Sequence, residues 1–422
     1  MGRLSAVAGL AALVACGSLG ACGSRGERPR AGGDAGPSGA RTGIGFPAAP
    51  PARREPADID EAPAVCAIRG QDPDAVLDEA SRLLYDAGDF KAALGCAELA
   101  VDLVPQAVEA HHYRAAALAA LGRYSEAQVA FAMALARDPD DPETLAAAAD
   151  FYINIAQPKQ RSAILLGLEY ARRGSGRAAS RRRLDRQLRA RLSLLEAEAL
   201  NDLGQSDAAL PRVDAALKLT PQNAAALHER GVSLFSLCRF ADAETAFAEV
   251  LREQPDDPYA HYHLGLILER YGREAEAEER FTKARALASD DFPPPVKITA
   301  EEFRAEVDRA IAEQAPEVRR ELAKVALELV DLPAQEDLIA VDPPFAPTIM
   351  GLYRGLPLAQ TGPTAADEEP IPPRAIVLYR KNLARAVRSR DELDRQIRRT
   401  LIHEIGHLQG LDEDDLRRRG LE

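Results

Sequence analysis

The sequence contains no tryptophan, only three methionines and five cysteines, and aromatic residues make up 5% of its 422 positions. A chain so poor in large rings and so rich in alanine suits helices packed through small side chains better than a sheet-dominated fold. Basic excess is also missing, the formal net charge being −13. Phosphate backbones are held by a surplus of Lys and Arg, so this balance argues against a nucleic-acid partner. The arginine-dense run RRRLDRQLRARL (181–192) is local and reads as a solvated helix face. The length exceeds one typical core and predicts two or more domains.

The apolar stretch Leu4–Val14, which follows Arg3, is too short to span a bilayer as a stable helix. With its positive start it reads as a processing segment over residues 1–21. LVAC ending at Cys16 and LGAC ending at Cys22 each resemble the bacterial lipoprotein cleavage box. The second stands at the more usual distance, so Cys22 is the expected lipid attachment and Cys16 the alternative. That resemblance implies an exported protein of the periplasm or cell envelope, held at a membrane by its lipid. Residues 22–65 are Gly, Pro, Ala and Arg with almost nothing to bury. Such a stretch cannot offset its ordering entropy and is expected to be a flexible tether. Cys66, Cys96 and Cys238 remain, and in an oxidising compartment Cys66–Cys96 is the pair closest in sequence.

A period of 34 fills the middle of the chain. Gly88 and Gly122 are one period apart, as are Pro105 and Pro139; Gly204, Cys238 and Gly272 continue the step, with Pro221 and Pro255. Gly122, Tyr124, Ala127, Phe131, Ala134 and Pro139 match Cys238, Phe240, Ala243, Phe247, Val250 and Pro255 offset for offset. The glycine or its substitute makes a turn, alanine lets two helices approach, the aromatic fills the gap and proline ends the second helix. This resembles the tetratricopeptide repeat, a helix–turn–helix unit that stacks into an α-solenoid. The likeness covers residues 66–290, with a degenerate unit and insertion near 142–190. It implies a concave groove that takes a protein or peptide partner. His111, His112, His228, His261 and His263 fall on first helices of repeats and are expected to pack or face the groove, not to bind metal.

DDFPPPVKI (290–298) breaks the repeat and opens a second region, 291–422. It begins with helical patterning through EEFRAEVDRAIAEQAPEVRRELAKVALEL, followed by strand candidates DLIAVD (337–342), TIMGLYRG (348–355) and PRAIVLYR (373–380). A final helix is expected from Asp391 to Leu408. Its apolar stripe is Leu393, Ile397, Leu401, Ile405 and Leu408, and at about 100° per residue His403 and His407 lie together away from it. Gly410 supplies the stop, and Asp412, Glu413, Asp414 and Asp415 follow.

HEIGH (403–407) is H-E-x-x-H. On a helix this spacing sets two imidazoles side by side to hold Zn²⁺, with the glutamate within reach of a water on that metal. His403 and His407 are therefore candidate zinc ligands and Glu404 the candidate general base. No other histidine lies in the last 130 or so residues, and little chain follows in which a methionine turn or a second-helix glutamate could stand, so a carboxylate third ligand is expected. The longer pattern HEIGHLQGLDE, with GLYRG (351–355) and IPPRAIVLYR (371–380), resembles the minimal zincins, a family of zinc metallopeptidases. The resemblance implies a small α+β domain over 291–422, bound Zn²⁺, and a third ligand at Glu413. The family usually has Asp at that offset, which leaves Asp412 and Asp414 as alternatives.

The expected architecture is thus mainly α: a repeat solenoid followed by a small α+β zincin-like domain. The leading functional expectation is an exported, lipid-anchored zinc peptidase whose repeats recruit a protein substrate or partner. In zincin-like sites an extended peptide pairs with an edge strand, here IMGLYRG or RAIVLYR. The other is a non-catalytic envelope scaffold with a structural or silent zinc site.

Overall fold

The computed structural model describes residues 11–13, 66, 72–176, 184–355 and 373–420. The signal segment (β1 below excepted), the tether, Cys16 and Cys22 lie outside the described residues. The chain divides into two compact units between Glu229 and Arg230.

The repeats fold as helix pairs. In the first unit these are α1 (Pro73–Arg82, extended by a π turn to Ala87) with α2 (Phe90–Leu103), α3 (Val108–Ala120) with α4 (Tyr124–Arg137), α5 (Pro142–Asp150, extended by a π turn to Ile155) with α6 (Arg161–Gly174), and α7 (Arg186–Asp202) with α8 (Ser206–Leu219). The degenerate stretch is therefore a full pair with longer connections. The core is alanine-rich: Ala115, Ala116, Ala117, Ala127 and Ala130 are fully buried beside Phe131 and Phe151. Cys66 and Cys96 form a disulfide with Cα atoms 5.5 Å apart. The turn residues Gly88, Gly122, Gly204 and Gly272 have φ of 67–75°, and Cys238 takes the same left-handed place at φ 58°. That conformation is what the period required of glycine, and the cysteine adopts it at some cost.

The remaining repeats are α9 (Ala224–Ser236), whose first turns lie before the division, α10 (Phe240–Glu253), α11 (Pro258–Arg270) and α12 (Glu274–Leu287). After the proline run come α13 (Ala300–Ala312), α14 (Pro316–Leu322), β2 (Ala326–Val330), α15 (Gln335–Leu338), β3 (Gly351–Arg354), β4 (Ala375–Tyr379), α16 (Arg380–Arg385), α17 (Arg390–Leu408) and α18 (Glu413–Arg418). The sheet order is β1-β3-β4-β2, where β1 is Ala11–Leu13; β2 and β4 are parallel, β3 and β4 antiparallel, and β1 lies antiparallel on the outer edge of β3. Ile376 and Leu378 of β4 share a core with Phe303 and Val307 of α13 and the α17 stripe.

Two expectations for this region fail. DLIAVD is not a strand: Leu338 ends the short helix α15 and is buried, while Ile339 is 53% exposed, so its alternation has no sheet face to fill. Conversely, residues 326–329, the end of the stretch read as helical, form β2 together with Val330. Its Ala, Leu and Glu favour helix locally, but the ladder running from Ala326↔Ala375 to Val330↔Tyr379 overrides that preference.

Candidate metal centre

Helix α17 starts where its sequence says it should. The Ser389 hydroxyl accepts from the Glu392 N–H at 3.2 Å, and Asp391 and Glu392 stand in the positive first turn. Leu393, Ile397, Leu401, Ile405 and Leu408 are at most 5% exposed, which fixes the helix in rotation. That rotation turns His403 and His407 toward one another: their Nε2 atoms are 3.0 Å apart, with ring planes at 79°. Both rings are buried, and Glu404 is wholly so.

The helix ends at Gly410, with φ 91°, and the chain turns back. The His407 Nδ1 atom donates to the Leu411 carbonyl at 2.9 Å. This fixes the tautomer and leaves Nε2 with its lone pair facing the other donors. Glu413 at the start of α18 places its Oε1 3.3 Å from His407 Nε2 and 3.7 Å from His403 Nε2. Burial works against the Glu413 carboxylate, but when both rings are protonated their hydrogen bonds and charge outweigh it and hold the carboxyl down at about 2; the neutral rings, with Nε2 bare, are the form that binds a metal.

The alternative carboxylates are occupied elsewhere. Asp412 caps α18, its Oδ1 accepting from the Asp415 N–H at 2.7 Å, and Asp414 pairs with Arg417 at 2.6 Å. Among the described residues, the group of three or more His, Cys, Asp or Glu able to share one ion is His403, His407 and Glu413, with ligand atoms within 4.8 Å of one another. Two imidazoles and one carboxylate form the three-ligand N/O set of an open zinc site, so the residues present fit Zn²⁺.

Two glycines let the site close, and sequence pattern alone did not single them out. A Cβ on Gly351 of β3 would lie 2.8 Å from Glu404 Oε1 and 2.7 Å from Thr400 Cγ2, so the strand backbone runs hard against the candidate base. A Cβ on Gly406 would lie 2.4 Å from Leu416 Cδ2. Leu416, fully buried, thereby seats α18 on α17 and sets where Glu413 stands. Gly351 fell inside the quoted GLYRG, but nothing in the spacing announced its contact.

The histidines of the repeats do other work. His111 and His261 donate to the carbonyls of Pro105 and Pro255, each at 3.0 Å, and His263 to that of Tyr259 at 2.9 Å. His112 is held between Tyr85 and Thr144, each 3.0 Å away, and burial pushes its pKa down to about 4. No helix among the described residues is long and apolar enough to cross a membrane.

Residues 322–421 match the zincin-like metallopeptidase family. Residues 108–151, 194–240 and 230–292 match tetratricopeptide-repeat families. The chain thus carries tetratricopeptide repeats and a C-terminal zincin-like metallopeptidase domain. No curated protein matches the chain in sequence. Solved structures that resemble it include pilF of Pseudomonas aeruginosa (14% identity, TM-score 0.43, covering 56% of this chain and 97% of that one). PilW, a type IV pilus biogenesis factor, is similar at 18% identity and TM-score 0.44, over 51% of this chain and 92% of its own. YrrB, described as a TPR protein with an unusual peptide-binding site, gives 18% identity and TM-score 0.35 over 46% and 93%.

Proposed function

We propose that this protein is a zinc-dependent peptidase, with His403, His407 and Glu413 holding the metal and Glu404 as general base. The observation that carries the reading is the convergence of two histidine Nε2 atoms and one carboxylate beside a wholly buried glutamate. Zinc bound there would polarise the scissile carbonyl and acidify a water. Glu404 takes the proton of the attacking water on its carboxylate and later delivers it to the leaving amine. Burial among Thr400, Gly351 and the helix keeps that carboxylate in one place, so little reorganisation accompanies the transfer. A purely structural metal site needs no such base, which is why this reading is preferred to the silent scaffold.

The peptide lies along β3. Its backbone abuts Glu404, and its outer edge accepts an extended segment antiparallel, as Ala11–Leu13 does with Ala12 opposite Leu352. The repeats recruit the protein substrate or a partner. Export, and anchoring through Cys22 or Cys16, belong to the same reading and rest on the N-terminal sequence alone.

The test uses the full-length protein on casein and a peptide library. Cleavage abolished by chelator, restored by Zn²⁺ and absent from Glu404→Ala is the expected outcome. Cleavage that survives in Glu404→Ala would remove the base from the mechanism.

A further inference from the structure

Three arginines of α17 have no part in the site described so far. Arg395, Arg398 and Arg399, with Ile402 and Gly420, line a concavity of about 470 Å³. Helical geometry relates it to the metal centre. Arg399 stands one turn before His403, about 6 Å along the axis and about 40° around it; Arg395 stands two turns before, at about 80°. Both lie on the side of His403 away from Glu404. Ile402 and Arg398 stand further round on the same side, at about 100° and about 140° from His403. The concavity therefore lies beside the metal-binding face, with Arg399 and Arg395 on its near edge in the i, i+4 row of His403 and His407, and Gly420, just past α18, among its lining.

The charges are unbalanced in a specific way. Arg398 is engaged by Glu313 at 2.9 Å, and Arg390 at the start of the same helix reaches Glu302, Glu306 and Asp394. On the tail, Arg417 and Arg418 pair with Asp414 and Asp415. Arg395 and Arg399 are exposed, and among the described residues neither makes a hydrogen bond or ion pair. They are an i,i+4 pair of like charge, an arrangement that costs helix stability and is relieved by an anion between them. The guanidinium fork matches a carboxylate better than any other common peptide group.

We propose that Arg395 and Arg399 form a subsite for a carboxylate of the substrate, making this a peptidase selective for acidic peptides. The proposal rests on the peptidase reading above and names its substrate class. The part of the peptide that leaves β3 and follows α17 toward its start advances about 3.3 Å per residue, so it passes Arg399 about two residues beyond His403 and Arg395 about four. The carboxylate is either an acidic side chain or the chain terminus.

Zinc-loaded full-length protein is tested on matched peptides. One arm compares Asp with Asn at each of four positions on both sides of the scissile bond, and the other compares a free with an amidated C-terminus. A single correctly placed carboxylate should raise kcat/KM about tenfold or more over its amide, the size expected of a charged hydrogen bond. Arg395→Ala with Arg399→Ala should bring that ratio near one, and Arg399→Glu should favour Lys at the same position; zinc content and melting temperature verify that the variants fold. An acid-to-amide ratio that stays unchanged in these variants overturns the proposal. So does wild-type cleavage with no acidic preference, which leaves the peptidase reading standing. Fluorescent peptide binding to Glu404→Ala separates the two. An arginine-dependent preference for the acidic peptide, with no cleavage by wild type, upholds the subsite and sinks the peptidase. Arginine-dependent binding to phosphatidylglycerol vesicles without any acidic-peptide preference makes the pocket a membrane contact and overturns the subsite.

Discussion

At the scale of single residues, Glu413 is the departure from its apparent family. Glutamate carries one methylene more than aspartate and reaches about 1.5 Å further, so a turn bearing Glu413 can hold a metal from further back than one bearing Asp. Glu413→Ala should weaken zinc affinity by orders of magnitude, and Glu413→Asp should weaken it less. Asp412→Ala should lose the α18 cap, about 1 kcal/mol of local stability, and Asp414→Ala a surface pair worth less; both should keep zinc. Titration of the four variants with zinc decides among them, and zinc retained in Glu413→Ala but lost in Asp412→Ala would reassign the ligand. His112 gives a separate prediction. Its folded pKa of about 4 lies below the unfolded value of about 6.5, so the stability it contributes is present above pH 6.5. That stability falls as pH drops toward 4, by about 3 kcal/mol in all. Urea unfolding between pH 7 and pH 4 should show a smaller loss in His112→Gln than in wild type.

At the scale of elements, the site depends on how closely α18 and β3 approach α17. Gly406→Ala puts a methyl into Leu416 Cδ2, so this wholly buried side chain must shift, and the expected outcome is that α18 moves with it and carries Glu413 away. Overpacking of this kind costs about 1–3 kcal/mol, and zinc affinity should fall about tenfold or more. Gly406→Ala with Leu416→Ala should recover part of the affinity, a recovery that simple unfolding would not allow. Gly351→Ala should instead disturb Glu404, lowering kcat while zinc content is kept. The α17 stripe and the histidine pair were legible because each follows helical periodicity over many residues. β2 was not, because helix-forming Ala, Leu and Glu become a strand only through a ladder to β4, nearly 50 residues later. DLIAVD misled for the complementary reason: it alternates, yet nothing pairs with it. The left-handed Cys238 was readable only because four glycines marked the same place in other repeats.

At the scale of the whole molecule, the zincin-like region and the last repeats form one compact unit, although the proline run at 290–298 suggested a boundary there. The seam is charged. Buried Glu269 of α11 receives Arg385 at 2.5 Å and Lys381 at 3.1 Å from α16, and Lys381 also reaches Glu274. Arg270 donates to the Pro333 carbonyl at 2.8 Å. Such pairs leave no periodic trace, so sequence could not announce them. Arg385→Ala would leave Glu269 buried with poorer compensation and should cost about 3 kcal/mol or more by urea unfolding of the full chain. A loss below about 1 kcal/mol would mean the seam is held by packing alone. In the first unit, Cys96→Ala should cost about 3–4 kcal/mol, the closure entropy of a loop of 30 residues, and the reductant sensitivity of the melting temperature should vanish with it.

The central claim is that one buried glutamate between two zinc-binding histidines performs hydrolysis. The most direct measurement is zinc stoichiometry and peptide turnover on the same preparations of wild type and Glu404→Ala. About one zinc per chain in both, with turnover at least a hundredfold lower in the variant, is the predicted result. Zinc absent from the wild type, or equal turnover in the two proteins, would contradict it.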